Sequence, residues 1–247
     1  MLLDQDRERQ FRRKQGIEEL GGYDVVLFRL GLNFDRLPNF PPPRPHDYGL
    51  QSLTGFKVYK GARGGRGILF ASTMVGAPAA SFSIERYLCH SPAVEGIGIG
   101  YCGALHPEME IGSIVIPSRA RIGEGTSRYY GQDEVSSPDQ SLMRRLVEVT
   151  EGFGYKPMVG EVYTIDAPLM ETLDFLERLR QQGMLGIDME MSALFSIAQY
   201  HGKRAAGILV VSDKPHEGSI YEIFLPSPEL ERITEDVVKI CIEAIAG

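Results

Sequence analysis

MLGIDMEMSALFSIAQY (Met184–Tyr200) and the stretch behind it, HGKRAAGILVVSDKP (His201–Pro215), decide the fold. Met184 to Met189 is short and mostly apolar and reads as a strand. Glu190 to Tyr200 places Leu194, Phe195, Ile197 and Ala198 on a helix that stops near Gly202. Ala205 to Val211 is a fully apolar run, as a strand buried on both faces would be. Strand, helix and strand in this order make an α/β unit. In α/β sheets ligands collect in the crevice beyond the carboxyl ends of the strands. Asp188, Glu190, Ser212 and Asp213 stand just past such ends and are the residues to weigh first.

Upstream, Val94 to Cys102 is a third strand of this kind, carrying the segment Gly96-Ile-Gly-Ile-Gly-Tyr-Cys-Gly103. The three segments are expected to meet at one crevice. Gly98, Gly100 and Gly103 formally satisfy G-x-G-x-x-G, but Pro107 and Gly112 interrupt the helix that would hold a pyrophosphate, so a dinucleotide site is not supported. The glycines are read instead as letting a ligand approach the backbone closely.

The remaining chain fits around this centre. Tyr23 to Leu30 reads as a buried strand. Pro38 to Pro45, with five prolines in eight residues, reads as a loop. Phe56–Tyr59 and Ile68–Thr73 read as a hairpin around the glycine-rich Gly61–Gly67. A helix is expected from Pro78, stopped by His90-Ser-Pro92. Further strands are expected over Ser113–Pro117 and Val159–Ile165, and helices over Leu142–Val149, Leu169–Gln181 and Glu231–Ala246. Residues 1–20 form a charged arm, and 21–247 read as a single domain. No internal repeat is visible.

Glu190 has two readings. A carboxylate in a helix's first turn complements the macrodipole. Alternatively its acceptor lone pairs grip two adjacent hydroxyl donors, as a ribose 2′,3′-diol presents, with Met189 as an apolar face. Asp213 sits at the rim of a dry sheet, where desolvation raises a carboxyl pKa and suits a general acid. It also fits an Asx-turn into Lys214-Pro215, and Lys214 is placed to pair with it. His46, His90, His106 and His201 lie in loops or helix ends without partner spacing, and His216 alone falls near the proposed chemistry.

A net charge of −7 and a pI near 5.3 argue against nucleic-acid or anionic-membrane surfaces, leaving small substrates as the fitting partners. Cys89, Cys102 and Cys241 show neither a disulfide framework nor metal-ligand spacing, so no metal is expected and a reducing cytoplasm is. The first residues lack an apolar signal core, and no run approaches a membrane span.

Taken together, the segments resemble the purine/uridine nucleoside phosphorylase superfamily. Gly186-Ile-Asp-Met-Glu-Met-Ser-Ala-Leu-Phe195 is similar to its ribose-binding turn, followed at the matching distance by Val211-Ser-Asp213. Gly76-Ala-Pro78, Gly100-Tyr-Cys-Gly-Ala104, Gly112–Pro117, Glu124–Tyr130 and Tyr163–Pro168 add support. The resemblance implies a three-layer α/β/α fold around a central mixed, barrel-like sheet. It implies cleavage of the N-glycosidic bond of a purine ribonucleoside, with phosphate as co-substrate, no other cofactor, and a homo-oligomer from dimer to hexamer. Glu190 would bind the diol, Met189 would pack on the nucleoside, Asp213 would protonate the base, and Tyr101, Cys102, Gly103 and Ser212 would line the site. The sequence departs from the family at its phosphate ligands. Leu27-Phe-Arg-Leu-Gly-Leu32 replaces the Gly-Asp-Pro-x-Arg loop. Gly98 and Tyr101 replace an arginine and a small hydroxyl, and only Arg44 lies near the place of the arginine borrowed from a neighbouring subunit. The run Ser212–Pro215 also looks like AMP nucleosidase, so hydrolysis is the alternative reading. A non-catalytic nucleoside-binding protein of the same fold is a second.

Overall fold

The computed structural model describes residues 7, 10, 21–31, 58–217 and 227–246. The proline-rich loop and nearly all of the charged arm lie outside the described residues; Arg7 and Gln10 are helical and exposed.

Alternating or continuous apolar runs give nine strands of one sheet: β1 (Val25–Arg29), β2 (Val58–Arg63), β3 (Arg66–Ser72), β4 (Glu95–Ala104), β5 (Ile114–Gly123), β6 (Val135–Ser136), β7 (Met158–Ile165), β8 (Gly186–Asp188) and β9 (Arg204–Asp213). The helices are α1 (Ala77–Ile84), α2 (Gln140–Gly152), α3 (Leu173–Gln181), α4 (Met191–Tyr200) and α5 (Pro228–Ala246). The strand order is β2-β3-β1-β4-β8-β7-β5-β6, and β9 pairs with both β4 and β5. That double pairing closes β4, β8, β7, β5 and β9 into a five-strand ring. β4 is the hub. One edge pairs in parallel with β9, while the other takes β1 along Glu95–Ile99 and then β8, antiparallel, at Gly103 and Ala104.

Successive side chains of a strand point to opposite faces, and the core divides accordingly. Val26, Phe28 and Leu30 pack with Ala80 and Ile84 of α1 and Leu194 and Ile197 of α4. Val25, Leu27, Ile97, Ile99, Ile208 and Val210 pack with Leu146 of α2 and Val237, Ile240 and Ala244 of α5. This is the mixed, barrel-like sheet between helical layers that the sequence led us to expect.

The glycines of β4 have a different use from the one expected. Gly98 and Gly207 are cross-strand partners. A Cβ on Gly98 would lie 2.6 Å from Leu194 Cδ2 and 2.9 Å from Leu30 Cδ1, and one on Gly207 would collide with Met191 Sδ. At Gly103 the neighbours are Pro215 and Ile187. These positions are bare so that α4 and the Pro215 turn can sit against the strands, and protein side chains, not a ligand, fill the space.

Other boundaries moved for local reasons. The hairpin turns at Gly64-Gly65, both at positive φ (57° and 79°), and its strands extend through Gly61 and Gly67. The helix expected over Leu169–Gln181 is a 3-10 turn at Pro168–Met170 followed by α3. Thr172 accepts the Phe175 N–H at 3.3 Å and so starts α3 at Leu173. Leu169 and Leu173 are therefore 80% and 66% exposed, and only Leu176 and Leu179 of that leucine series are buried. α5 begins at Pro228, ahead of the expected Glu231, because proline suits a first helical turn.

If α4 docks on bare strands, Gly98→Ala overpacks the interface and costs about 1–3 kcal/mol in urea unfolding. Gly152→Ala, at the end of α2 with nothing within 4 Å of the added methyl, gains up to about 1 kcal/mol. Equal midpoints for parent and Gly98→Ala would contradict the close approach.

Candidate functional site

The three segments singled out from sequence do converge, because β4 runs between β8 and β9 at its carboxyl end. The β4–β9 register slips between Cys102 and Gly103, so that Gly103 opposes Asp213 and Ser212 is left as the bulged residue. Bulges re-aim side chains. Cys102 is buried, and burial together with the charges of Asp188 and Asp213 pushes its thiol well up, which places it between the two acids as an un-ionised group.

Asp188 ends β8 and caps α4. Its Oδ2 accepts the N–H groups of Glu190 at 2.8 Å and Met191 at 2.6 Å, and its Oδ1 accepts the Thr164 hydroxyl at 2.7 Å. The next turn is held by Ser192, whose N–H donates to Thr164 Oγ1 and whose hydroxyl donates to Glu124 Oε1, both at 3.0 Å. Glu124 is itself fixed by the N–H groups of Thr126 and Ser127.

Glu190 occupies the N-cap position of α4 but makes no side-chain capping bond; Asp188 does that work. The Glu190 carboxyl turns across instead to α1, where Oε1 accepts the Gly76 N–H at 2.6 Å. Gly76 has φ 91°, a conformation suited to glycine, and it starts α1 with that N–H aimed outward. Gly31, just past β1, also faces Glu190: a Cβ there would lie 3.4 Å from Oε1. Glu190 is 6% exposed, and Met189 beside it is partly open to solvent. Burial, then the Asp188 charge, raises the Glu190 pKa to about 8, with the Gly76 and Met189 N–H groups opposing. Burial likewise raises Asp188 to about 6.

Asp213, 3% exposed, ends β9. Ser212 Oγ lies 2.7 Å from Asp213 Oδ1 and 3.4 Å from the Cys102 carbonyl. Burial raises the Asp213 pKa, and the Ser212 hydroxyl partly offsets it. Lys214 makes its ion pair with Glu110 at 2.6 Å, so the expected alternative pairing with Asp213 gives way to this one. His216 is exposed in a separate cleft of about 410 Å³ beside Leu173 and Arg180.

Tyr101 points to the other face of β4. Its hydroxyl is 3.0 Å from Thr234 Oγ1 of α5, and the Arg29 guanidinium lies 4.6 Å over its ring. Arg29 is 3% exposed at the end of β1, and its Nη1 has no hydrogen-bond partner among the described residues.

Sequence reading missed Glu171. Partial burial and then the Asp213 charge raise it to about 7. An expected helix through Leu169 concealed the 3-10 turn that ends at Glu171. The Gly76 N–H was also missed, although Gly76 before Pro78 is a legible helix start.

The arrangement offers one buried acceptor carboxyl, Glu190, beside a backbone donor, and one dry acid, Asp213, across the bulge. Such a site can hold adjacent hydroxyls at one end and deliver a proton at the other. A raised carboxyl pKa makes the protonated folded form favoured. Stability is then fully present below the unfolded value near 4.5 and is lost as pH rises through the folded value of about 8. In the ligand-free protein, the parent should lose about 1.4 kcal/mol per pH unit relative to Glu190→Gln across that window. Chemical unfolding at a series of pH values reads this directly. Parallel curves would show that Glu190 ionises freely.

Comparison with known proteins adds three findings. The sequence pattern described as "Phosphorylase superfamily" matches residues 25–240. A DeoD-type purine nucleoside phosphorylase of Roseobacter denitrificans is 28% identical over 198 residues, 79% of this chain and 80% of that protein. A guanosine phosphorylase of Halorubrum lacusprofundi is 27% identical over 197 residues, covering 78% and 81%. The crystal structure of uridine phosphorylase from Vibrio fischeri ES114 superposes with a TM-score of 0.74 over 92% of this chain and 93% of that one, at 21% identity. At that identity the likeness is one of fold.

Proposed function

The chain belongs to the phosphorylase superfamily, and from that membership we propose that it cleaves the N-glycosidic bond of a purine ribonucleoside, with phosphate as the attacking group. The observation that carries this reading is Glu190: a buried carboxyl at a helix start that leaves the capping to Asp188 and faces Gly76 and Gly31. Two ribose hydroxyls are the donors such an acceptor lacks. As they bind, they favour the ionised form, and Glu190 gives up its proton. Met189 offers an apolar surface to the sugar or base.

Asp213 keeps its proton because it is dry. With Oδ1 taken by Ser212, Oδ2 is left to protonate the departing purine. Purine is favoured over pyrimidine by this acid and by the names of the related proteins.

A second reading has water as nucleophile. Its support is Gly98, where Leu194 and Leu30 occupy the space an arginine side chain would need. We also read the protein as a homo-oligomer. α1 leaves Phe82 62% exposed, and Tyr129, 88% exposed, lines a cleft of about 740 Å³ with Pro78, Ser81 and Arg128.

Incubation with inosine, guanosine and uridine, with and without phosphate, tests the reaction. Purine release with ribose 1-phosphate, only when phosphate is present, is the expected result. Free ribose without phosphate would establish the second reading, and no base release from any nucleoside would refute both. Asp213→Asn should slow purine release by about 10² to 10⁴ while sparing nucleoside binding. A 7-methylated purine nucleoside, whose base leaves without taking a proton, should largely restore the variant's rate. Parental turnover of inosine by Asp213→Asn would reduce Asp213 to a turn residue.

A further inference from the structure

α1 and α4 lie side by side and are joined at both ends. At their N-terminal ends the Gly76 N–H meets Glu190. At their C-terminal ends a second group of polar side chains meets, outside the nucleoside site. α1 does not stop at Ile84 but widens into a π-helical turn, Glu85–Cys89, closed by the His90 N–H donating to the Glu85 carbonyl at 2.9 Å. At 3.6 residues per turn, residues five apart on an α-helix point about 140° away from each other. The wider turn brings Glu85 and His90 together: His90 Nε2 is 3.1 Å from Glu85 Oε2. His201, at the end of α4 and 116 positions from Glu85, completes the group with Nε2 at 3.0 Å from the same carboxylate.

We propose that Glu85, His90 and His201 form a binding site for a divalent transition-metal cation of the zinc type, which clamps the C-terminal ends of α1 and α4. One ligand atom from each residue lies within 4.8 Å of the others. Around zinc, with bonds of about 2.0–2.2 Å to nitrogen or carboxylate oxygen, tetrahedral neighbours stand about 3.3 Å apart, so small side-chain rotations complete the site. Both imidazoles present Nε2 to the carboxylate, and two neutral histidines with one carboxylate are a donor set suited to zinc. The outer contacts are built as well. Tyr130 donates its hydroxyl to Glu85 Oε1 at 2.8 Å, which orients the carboxylate, while His201 Nε2 stands 3.0 Å from both carboxylate oxygens. The rings of His90 and His201 stand edge to face at 5.5 Å. The three side chains are 10–22% exposed, so solvent reaches the group and supplies a fourth ligand. The nearby cation, Lys203, directs its ammonium to the carbonyls of Ala93 at 2.6 Å and Ser91 at 3.3 Å.

The π-helical turn thereby gains a purpose, since such turns inside helices are frequent at functional sites. The test is titration of the chelator-treated full-length chain with Zn²⁺ against a colorimetric zinc indicator at neutral pH, together with thermal unfolding and the visible spectrum of the Co²⁺-loaded protein. One equivalent should bind, raise the melting temperature and give the cobalt bands of a four- or five-coordinate site. His90→Gln and His201→Gln should each weaken binding by about 100-fold or more and abolish the thermal shift, while His106→Gln should change neither. If His201→Gln fails to fold, His90→Gln and Glu85→Gln read the same loss. No zinc binding by the parent, or binding that survives both histidine substitutions unchanged, would overturn the site.

Discussion

The cap that Asp188 places on α4 is the interaction on which the rest of the site depends. By accepting the N–H groups of Glu190 and Met191, it satisfies the helix start that Glu190 would otherwise be drawn to serve. Glu190 is then available to reach across to Gly76 and Gly31, two backbone segments from other parts of the chain. The cap works only because α4 lies low on the sheet, which the bare pair Gly98 and Gly207 permits. Side-chain volume surrendered in β4 and β9 thus becomes position for one carboxyl.

That position costs stability. Asp188, Glu190, Asp213 and Glu171 are all raised by burial; the charge of Glu124 raises Asp188 further, and that of Asp188 raises Glu190. Groups held this way gather where a ligand or a reaction uses them. On the proposed reading, a bound diol would donate to the ionised Glu190, and Asp213 would pass its proton to the departing base.

Much of this was legible in the sequence, for identifiable reasons. Continuous apolar runs marked β4, β9 and β1, and acids just beyond such runs marked Glu190 and Asp213. What period and spacing do not carry was lost. The leucines from Leu169 suggested one long helix, but Thr172 caps a shorter one and a 3-10 turn precedes it. The glycines of β4 were read as room for a ligand, whereas leucines and a proline fill it. Tyr101 shares the parity of Ile97 and Ile99, so strand alternation already placed it toward α5, away from Glu190. The group formed by Glu85, His90 and His201 has no sequence signature, because one member comes from 116 positions away and the other two meet only through a π-helical turn.

The central claim is that a buried, largely protonated Glu190 receives the ribose diol. Calorimetry of a purine C-nucleoside, whose carbon–carbon link is not cleaved, tests it when run at pH 7 in buffers of different ionisation enthalpy. Binding should release about one proton per site from the parent protein. The 2′,3′-dideoxy analogue should release little, and so should the Glu190→Gln variant. The same proton release from all three would contradict the claim.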